Sequence, residues 1–229
     1  MQIAFRAVRR RWDVRGRLQT FLGWQLKKSR ESIADLIFGV DTFKWALDPA
    51  RNTLSRYVYD AAPWSAVRRT LKNLNLDFSQ FSFIDMGCGK GRMVIAASGF
   101  PFASVIGVEF SPALCRIAER NLATYRYLRR RSRCLRIVEC DATEFTIPNT
   151  PCVFFFYNPF SFELFNVVIK NITSSYRGNP REIYLILVGM STIFPQISVI
   201  PAVKLLHSFS IPVGMSTSRS VYISQVTGD

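Results

Sequence analysis

The stretch Phe83-Ile84-Asp85-Met86-Gly87-Cys88-Gly89-Lys90-Gly91-Arg92 decides how this chain is read. An apolar run, Phe81-Ser82-Phe83-Ile84, leads into Asp85, three glycines then stand at alternate positions, and the apolar-rich segment Met93-Val94-Ile95-Ala96-Ala97 follows. That order predicts a strand, a tight loop and a helix. Glycines let the loop take positive φ and bring backbone N–H groups against a ligand, while the helix behind it adds partial positive charge at its N-terminus. A carboxylate, a phosphate or a ribose suits such a cradle. A glycine turn by itself also serves as a plain strand-to-helix connection, so the flanking sequence has to decide between the two.

The same rhythm continues downstream. Ser104-Val105-Ile106-Gly107-Val108-Glu109 reads as a second strand ending on an acid, and Ser111-Pro112 reads as an N-cap with proline at the first helical position. The helix so begun places Leu114, Ile117, Ala118, Leu122 and Tyr125 inward. Residues Cys134 to Cys140 form a third strand leading to Asp141-Ala142-Thr143, and Val153 to Tyr157 a fourth that runs into Asn158-Pro159-Phe160. Ser161 is the expected N-cap of the next helix, with Leu164, Phe165, Val168, Ile169 and Ile172 inward. A fifth strand spans Ile183 to Val188, and two late strands, around Val203 to Phe209 and Val221 to Val226, are expected to pair antiparallel. Short apolar strands alternating with helices predict an α/β fold: a Rossmann-like, doubly wound, mostly parallel seven-stranded sheet with a late antiparallel pair. Asp85, Glu109, Asp141 and Asn158 all fall at strand C-terminal ends, where ligands of such sheets bind.

Ahead of this domain, residues 1–56 read as a basic N-terminal helical extension. Arg9, Arg10, Arg11, Arg15 and Arg17 alternate with apolar residues, and Leu22, Leu26, Ile33, Leu36 and Ile37 recur at roughly helical spacing. Such a segment either holds a polyanion or a membrane surface, or packs on the domain with a solvated face. A second cationic cluster, Arg129-Arg130-Arg131-Ser132-Arg133, follows a helix end and exceeds what the helix dipole attracts, which points to a polyanionic contact. The whole chain of 229 residues carries 30 Lys and Arg against 16 Asp and Glu, a formal net charge of +14 that favours nucleic acid, anionic lipid or an acidic protein surface. Five cysteines without a C-x-x-C pair, and His207 as the only histidine, argue against a metal site or a disulfide framework and for a reducing compartment. No apolar run reaches the roughly 18 residues of a membrane span, so a cytoplasmic location is expected, with a mitochondrial presequence as the alternative because the first dozen residues are arginine-rich and acid-poor. Nothing in the sequence speaks to oligomeric state.

A nicotinamide site would want G-x-G-x-x-G, and here the third glycine comes one residue early. Taken together, D-M-G-C-G-K-G after strand one, G-V-E-F-S after strand two, C-D-A-T after strand three and Y-N-P-F after strand four resemble the class I S-adenosylmethionine-dependent methyltransferases, over about residues 57 to 226. The resemblance implies S-adenosylmethionine as cofactor and residues 57–229 as the methyltransferase domain. It implies Asp85 and the Gly87-Cys88-Gly89 turn at the methionine part, Glu109 at the ribose diol, Asp141 with Ala142 at the adenine edge, and Asn158 beside the reacting centre. Y-N-P-F is also similar to the [DN]-P-P-[YF] motif of enzymes that methylate planar nitrogen, with one proline fewer. By that likeness Asn158 accepts the hydrogens of a target NH₂, Phe160 stacks on its plane, and Tyr157 with Asn158 would assist a lysine in losing its proton. The expected acceptor is a macromolecule, with protein lysine ahead of nucleic acid (adenine N6 or ribosomal RNA) and a small molecule third. A non-catalytic basic nucleic-acid-binding module is the competing class.

Overall fold

The computed structural model describes residues 31–43, 61–125, 130–132, 134–197, 199–212 and 218–228. The basic arm through residue 30, the boundary expected at 56/57, and Arg129 and Arg133 lie outside the described residues.

Seven strands form one sheet: β1 (Ser82–Met86), β2 (Ser104–Glu109), β3 (Leu135–Glu139), β4 (Cys152–Tyr157), β5 (Ile183–Val188), β6 (Val203–Pro212) and β7 (Ser218–Val226). Their order is β3-β2-β1-β4-β5-β7-β6. Pairing is parallel from β3 to β5, and β7 lies antiparallel to both β5 and β6. Strand order reverses between β1 and β4, which makes their C-terminal ends the switch point of the sheet. The helices are α1 (31–38), α2 (Ser65–Leu71), α3 (Arg92–Ser98), α4 (Pro112–Thr124), α5 (Phe162–Gly178) and the short α6 (Phe194–Ile197), with a 3-10 turn at Phe78–Gln80. This is the expected doubly wound α/β architecture. No helix among the described residues is long and apolar enough to cross a membrane.

Strands β4 and β5 are apolar throughout, and β1 is buried at every position although it includes Ser82 and Asp85, because each is covered twice. Phe83, Val153, Phe155 and Ile186 pack on one side with Val67 and Leu71 of α2 and Val94 of α3, while Ile84, Phe154, Phe156 and Leu185 pack on the other with Phe165, Val168 and Ile169 of α5. Helix α4 begins as its sequence predicts, since the Ser111 hydroxyl accepts the N–H of Leu114. Helix α5 departs from expectation at its start. Ser161 occupies the N-cap position without capping a backbone N–H, and Leu164, expected inward, is 45% exposed. Leu164 borders a cavity at the end of the sheet while its neighbour Phe165 packs in the core, so helical periodicity alone misassigns it.

Residues 31–43 are fastened to the segment that follows the glycine loop. The buried Arg92 guanidinium donates to the Glu31 carboxylate, to Asp35 Oδ1 (3.2 Å), to Thr42 Oγ1 (2.7 Å) and to the Ala62 carbonyl (3.1 Å). It also lies 5.2 Å from the centroid of the Trp64 ring. The Asp35 carboxylate in turn accepts the N–H groups of Thr42 and Phe43. Lys90, equally buried, reaches Asp41 at 3.3 Å, and the Asn121 side chain of α4 donates to the carbonyls of both Asp41 and Lys90. A strap is thereby bound to α3 and α4 through two nearly dry cations, Arg92 and Lys90, of whose partners Asp41 is half-exposed. Removing one member of a buried ion network typically costs about 3–5 kcal/mol because its partners stay buried. Arg92→Ala is therefore expected to lower the thermal midpoint by many degrees, and Arg92→Lys, which keeps the charge but not the guanidinium fork, should recover only part of the loss; differential scanning calorimetry reads both.

Candidate functional site

The end of β1 and the loop after it are set by two close approaches. Gly107 lies in β2 beneath the loop, where a Cβ would come within 2.7 Å of Cys88 Sγ and 2.8 Å of Val94 Cγ2. The loop rests directly on that strand, and the N–H groups of Gly87 and Cys88 both donate to the Val108 carbonyl at 2.9 Å. Gly87 has φ +80°, and a Cβ there would sit 2.6 Å from Pro159 Cβ. The Asn158-Pro159-Phe160 loop after β4 thus packs against the glycine turn.

Glu109, at the end of β2 and only 3% exposed, ties these parts together. Its Oε2 accepts the N–H of Gly89 and its Oε1 the N–H of Ser111, each at 3.0 Å. Asp85, also 3% exposed, takes no hydrogen bond from any described residue. Burial, reinforced by the nearby Glu109 charge, pushes its carboxyl up to about 8. Burial likewise holds the Cys88 thiol well above its ordinary value, with Asp85 and Glu109 adding to the effect. At the end of β3, Asp141 is exposed, and its Oδ1 accepts both the N–H (2.8 Å) and the hydroxyl (2.7 Å) of Thr143.

Around these groups opens a cavity of about 250 Å³, lined by Gly87, by Val108 to Phe110, by Cys140 to Thr143, by Pro159 to Ser161 and by Leu164. Of the residues expected from sequence, Gly87, Glu109, Asp141, Ala142 and Phe160 meet in its wall. Asp85, Cys88, Gly89, Tyr157 and Asn158 are not part of that lining, each for a local reason. Asp85 is enclosed at the end of the sheet, Cys88 turns its sulfur down onto Gly107, and the Gly89 N–H is engaged by Glu109. Asn158 has φ +45° and an exposed side chain, a backbone state that asparagine tolerates better than most residues. Tyr157 is half-buried, and its ring lies 5.0 Å from the Arg219 guanidinium of β7. Arg219 is folded against Gly189, where a Cβ would come within 2.8 Å of its Cδ. Phe160 is fixed by edge contact with Phe156 at 6.2 Å and by Phe165 at 6.4 Å.

Sequence reasoning missed Phe110, Leu164 and Pro159. Phe110 directly follows the strand-end acid and is 50% exposed, so its position next to Glu109 was the available signal. Leu164 gave a misleading signal, because its helical phase matches the core residues of α5. The chemistry of the lining is mixed. A buried carboxylate whose hydrogen-bonded oxygens retain lone pairs can accept hydroxyls, and Phe110, Ala142, Phe160 and Leu164 offer apolar surface for a planar ring. The volume is near the lower end for small-molecule sites, enough for the nucleoside portion of a ligand.

Comparison with known proteins follows this geometry. A family model described as histone methylation protein DOT1 matches residues 48–136. TrmN from Thermus thermophilus shares the fold with a TM-score of 0.52 at 14% identity, over 72% of this chain and 48% of that one. The chain thus spans about half the length of that protein. TrmK from M. capricolum, solved with S-adenosylhomocysteine, aligns with a TM-score of 0.53 at 11% identity, over 70% of this chain and 67% of that one. The glycopeptide N-methyltransferase MtfA aligns with a TM-score of 0.55 at 11% identity, over 72% of this chain and 95% of that one. A search of the curated proteins finds no match.

The raised Asp85 carboxyl gives a stability test with a defined sign. The unfolded chain releases this proton near 3.8, whereas the folded protein holds it up to about 8. The associated stability is fully present below pH 3.8 and is lost as pH rises through 8. Asp85→Asn is expected to gain thermal stability over the unaltered protein, by a margin that widens from pH 5 to pH 8 and then levels off. A constant margin across thermal unfolding curves in that range would contradict it.

Proposed function

We propose that the chain is a class I S-adenosylmethionine-dependent methyltransferase and that it methylates a nitrogen of a macromolecule, with a protein lysine side chain as the acceptor. The observation that carries this reading is the buried Glu109 carboxylate facing a largely apolar cavity at the sheet's switch point, one loop away from Asn158-Pro159-Phe160. Residues 57–229 are taken as the methyltransferase domain, to which the strap of residues 31–43 is bound.

The cavity fits the nucleoside half of the cofactor. In this assignment the remaining lone pairs of Glu109 accept the ribose hydroxyls, Asp141 and Ala142 meet the adenine edge, and Phe110 and Leu164 cover the ring. Asp85 and the Gly87-Cys88-Gly89 turn, of which only Gly87 lines the cavity, are assigned to the cationic methionine part. A positive charge beside Asp85 offsets both its desolvation and its repulsion by Glu109, so cofactor binding releases the proton that the free protein retains. Bound there, the cofactor supplies an electrophilic methyl group on sulfonium sulfur.

What the chain itself has to supply is alignment and control of the acceptor's proton. A lysine with an ordinary pKa of about 10.4 arrives protonated and is not a nucleophile until it is neutral. Arg219, held over the Tyr157 ring, opposes a second cation next to it and favours the neutral amine. Asn158 and Tyr157 supply acceptors for the hydrogens of that amine, and Phe160 packs its aliphatic stem. Protein is placed first because the matching family model is one of histone methylation. A nucleic-acid acceptor is the second reading, favoured by the net charge of +14 and by the similarity to a structure described as a putative RNA methyltransferase from Pyrococcus horikoshii.

Two measurements test this function. Calorimetry should give saturable binding of S-adenosylmethionine that strengthens with pH toward 8, and Asp85→Asn should weaken it by about tenfold or more, since one lost charge contact is worth on the order of 1–3 kcal/mol. No heat from the unaltered protein would end the enzyme reading. Incubation with cell extract and methyl-tritiated cofactor should then yield label that protease releases and nuclease leaves in place; the opposite pattern would replace lysine with nucleic acid.

A further inference from the structure

Helix α1 presents an apolar ridge to solvent. Ile33, Leu36 and Ile37 are 54%, 81% and 56% exposed, and their spacing places all three on one face of the helix. The opposite face is consumed by the site's supports, with Asp35 buried and Glu31 paired to Arg92. Beyond the C-terminal end of α1 lies a cationic edge. Phe38, at the end of α1, meets the Tyr125 ring at 5.7 Å. The exposed Arg130 donates to the carbonyl of the same Tyr125 at 3.3 Å, and Arg131, also exposed, follows it. In the sequence immediately preceding α1, residues 1–30 carry nine Lys or Arg and a single Asp, interspersed with Phe5, Trp12, Phe21 and Trp24.

From this juxtaposition we infer that the α1 ridge and the Arg130–Arg131 edge form a docking surface for an anionic lipid bilayer. The two parts require different things of a partner. Exposed Leu and Ile side chains gain only where they leave water, and arginines gain only where they meet anions. A bilayer of acidic phospholipids supplies both within a few ångströms of depth. A nucleic-acid backbone would satisfy the arginines and leave Leu36 in water. A second copy of the chain would cover the ridge but would bring together two molecules of net charge +14. Because Arg92 and Lys90 lock the strap to the segment around the glycine loop, a docked α1 holds the cavity at a fixed position relative to the lipid surface. Substrates at or near that surface would then be the ones reached.

The test uses the full chain and vesicles of phosphatidylcholine with or without phosphatidylglycerol, read by co-sedimentation. Binding is expected only with phosphatidylglycerol, and it should weaken with salt. The paired substitution Leu36→Ser with Ile37→Ser should reduce it by about tenfold or more, because two apolar side chains no longer enter the interface. Arg131→Glu should also reduce it and flatten the salt dependence. Thermal midpoints and cofactor calorimetry are expected to stay unchanged for all these exposed positions. Three outcomes would overturn the inference: no binding of the unaltered chain to acidic vesicles, equal binding by the Leu36→Ser, Ile37→Ser chain, or a lipid-free dimer abolished by that pair. Tighter binding to an RNA oligonucleotide than to vesicles, indifferent to Leu36, would assign the edge to nucleic acid and overturn it as well.

Discussion

The Glu109 carboxylate is the constraint on which the site depends. One oxygen holds the N–H of Gly89 and the other that of Ser111, so a single side chain spans the glycine loop, the end of β2 and the first turn of α4. Its charge is satisfied by backbone dipoles in a place nearly closed to water. The same charge makes the environment of Asp85 worse, since two acids are enclosed together and, among the described residues, only Glu109 is given hydrogen bonds. The Asp85 carboxyl responds by keeping its proton up to about 8. A cation beside the cavity would relieve this repulsion, and the sulfonium and ammonium groups of the proposed cofactor are cations. On the proposed function, the electrostatic tension in the free protein and affinity for the cofactor would be two sides of one arrangement.

Keeping the loop low enough for these contacts requires space that only glycine leaves. A side chain at position 107 would collide with Cys88 and Val94, and one at position 87 would collide with Pro159. The second of these approaches links the two halves of the site. Pro159 rests on the glycine turn, and the neighbouring Phe160 is seated among Phe156 and Phe165. Any shift of the Asn158-Pro159-Phe160 corner would therefore be felt both in the cavity and in the core beneath α5.

Support also comes from outside the sheet. The strap of residues 31–43 contributes Glu31, Asp35, Asp41 and Thr42 to partners that include Arg92 and Lys90, two cations that are almost wholly buried. Buried charges of this sort fix geometry more than they add net stability. The strap accordingly belongs to the same folded unit as the sheet, and its outward apolar ridge takes no part in these contacts.

Much of this was readable from the order of residues, for physical reasons particular to each element. The strands declared themselves because a doubly covered strand must be apolar at every position, as Val153 to Phe156 are. Ser111-Pro112 and Asp85-Met86-Gly87 signalled a helix start and a loop through local backbone preference, which neighbours do not need to enforce. Glu109 and Asp141 could be placed at the sheet's edge by counting along strands of known polarity. Leu164 could not be placed, because its helical phase is that of the core and only its position in the cavity wall exposes it. Nor could sequence separate Asp141, which lines the cavity, from Asp85, which is shut in behind it, as both are acids ending a strand. Arg92 looked like one cation among many until Glu31, Asp35 and Thr42, some fifty or sixty residues earlier in the chain, were seen around it. Local preference and periodicity are written in consecutive residues, whereas burial, charge pairing and the walls of a cavity arise between segments that meet only after the chain has folded.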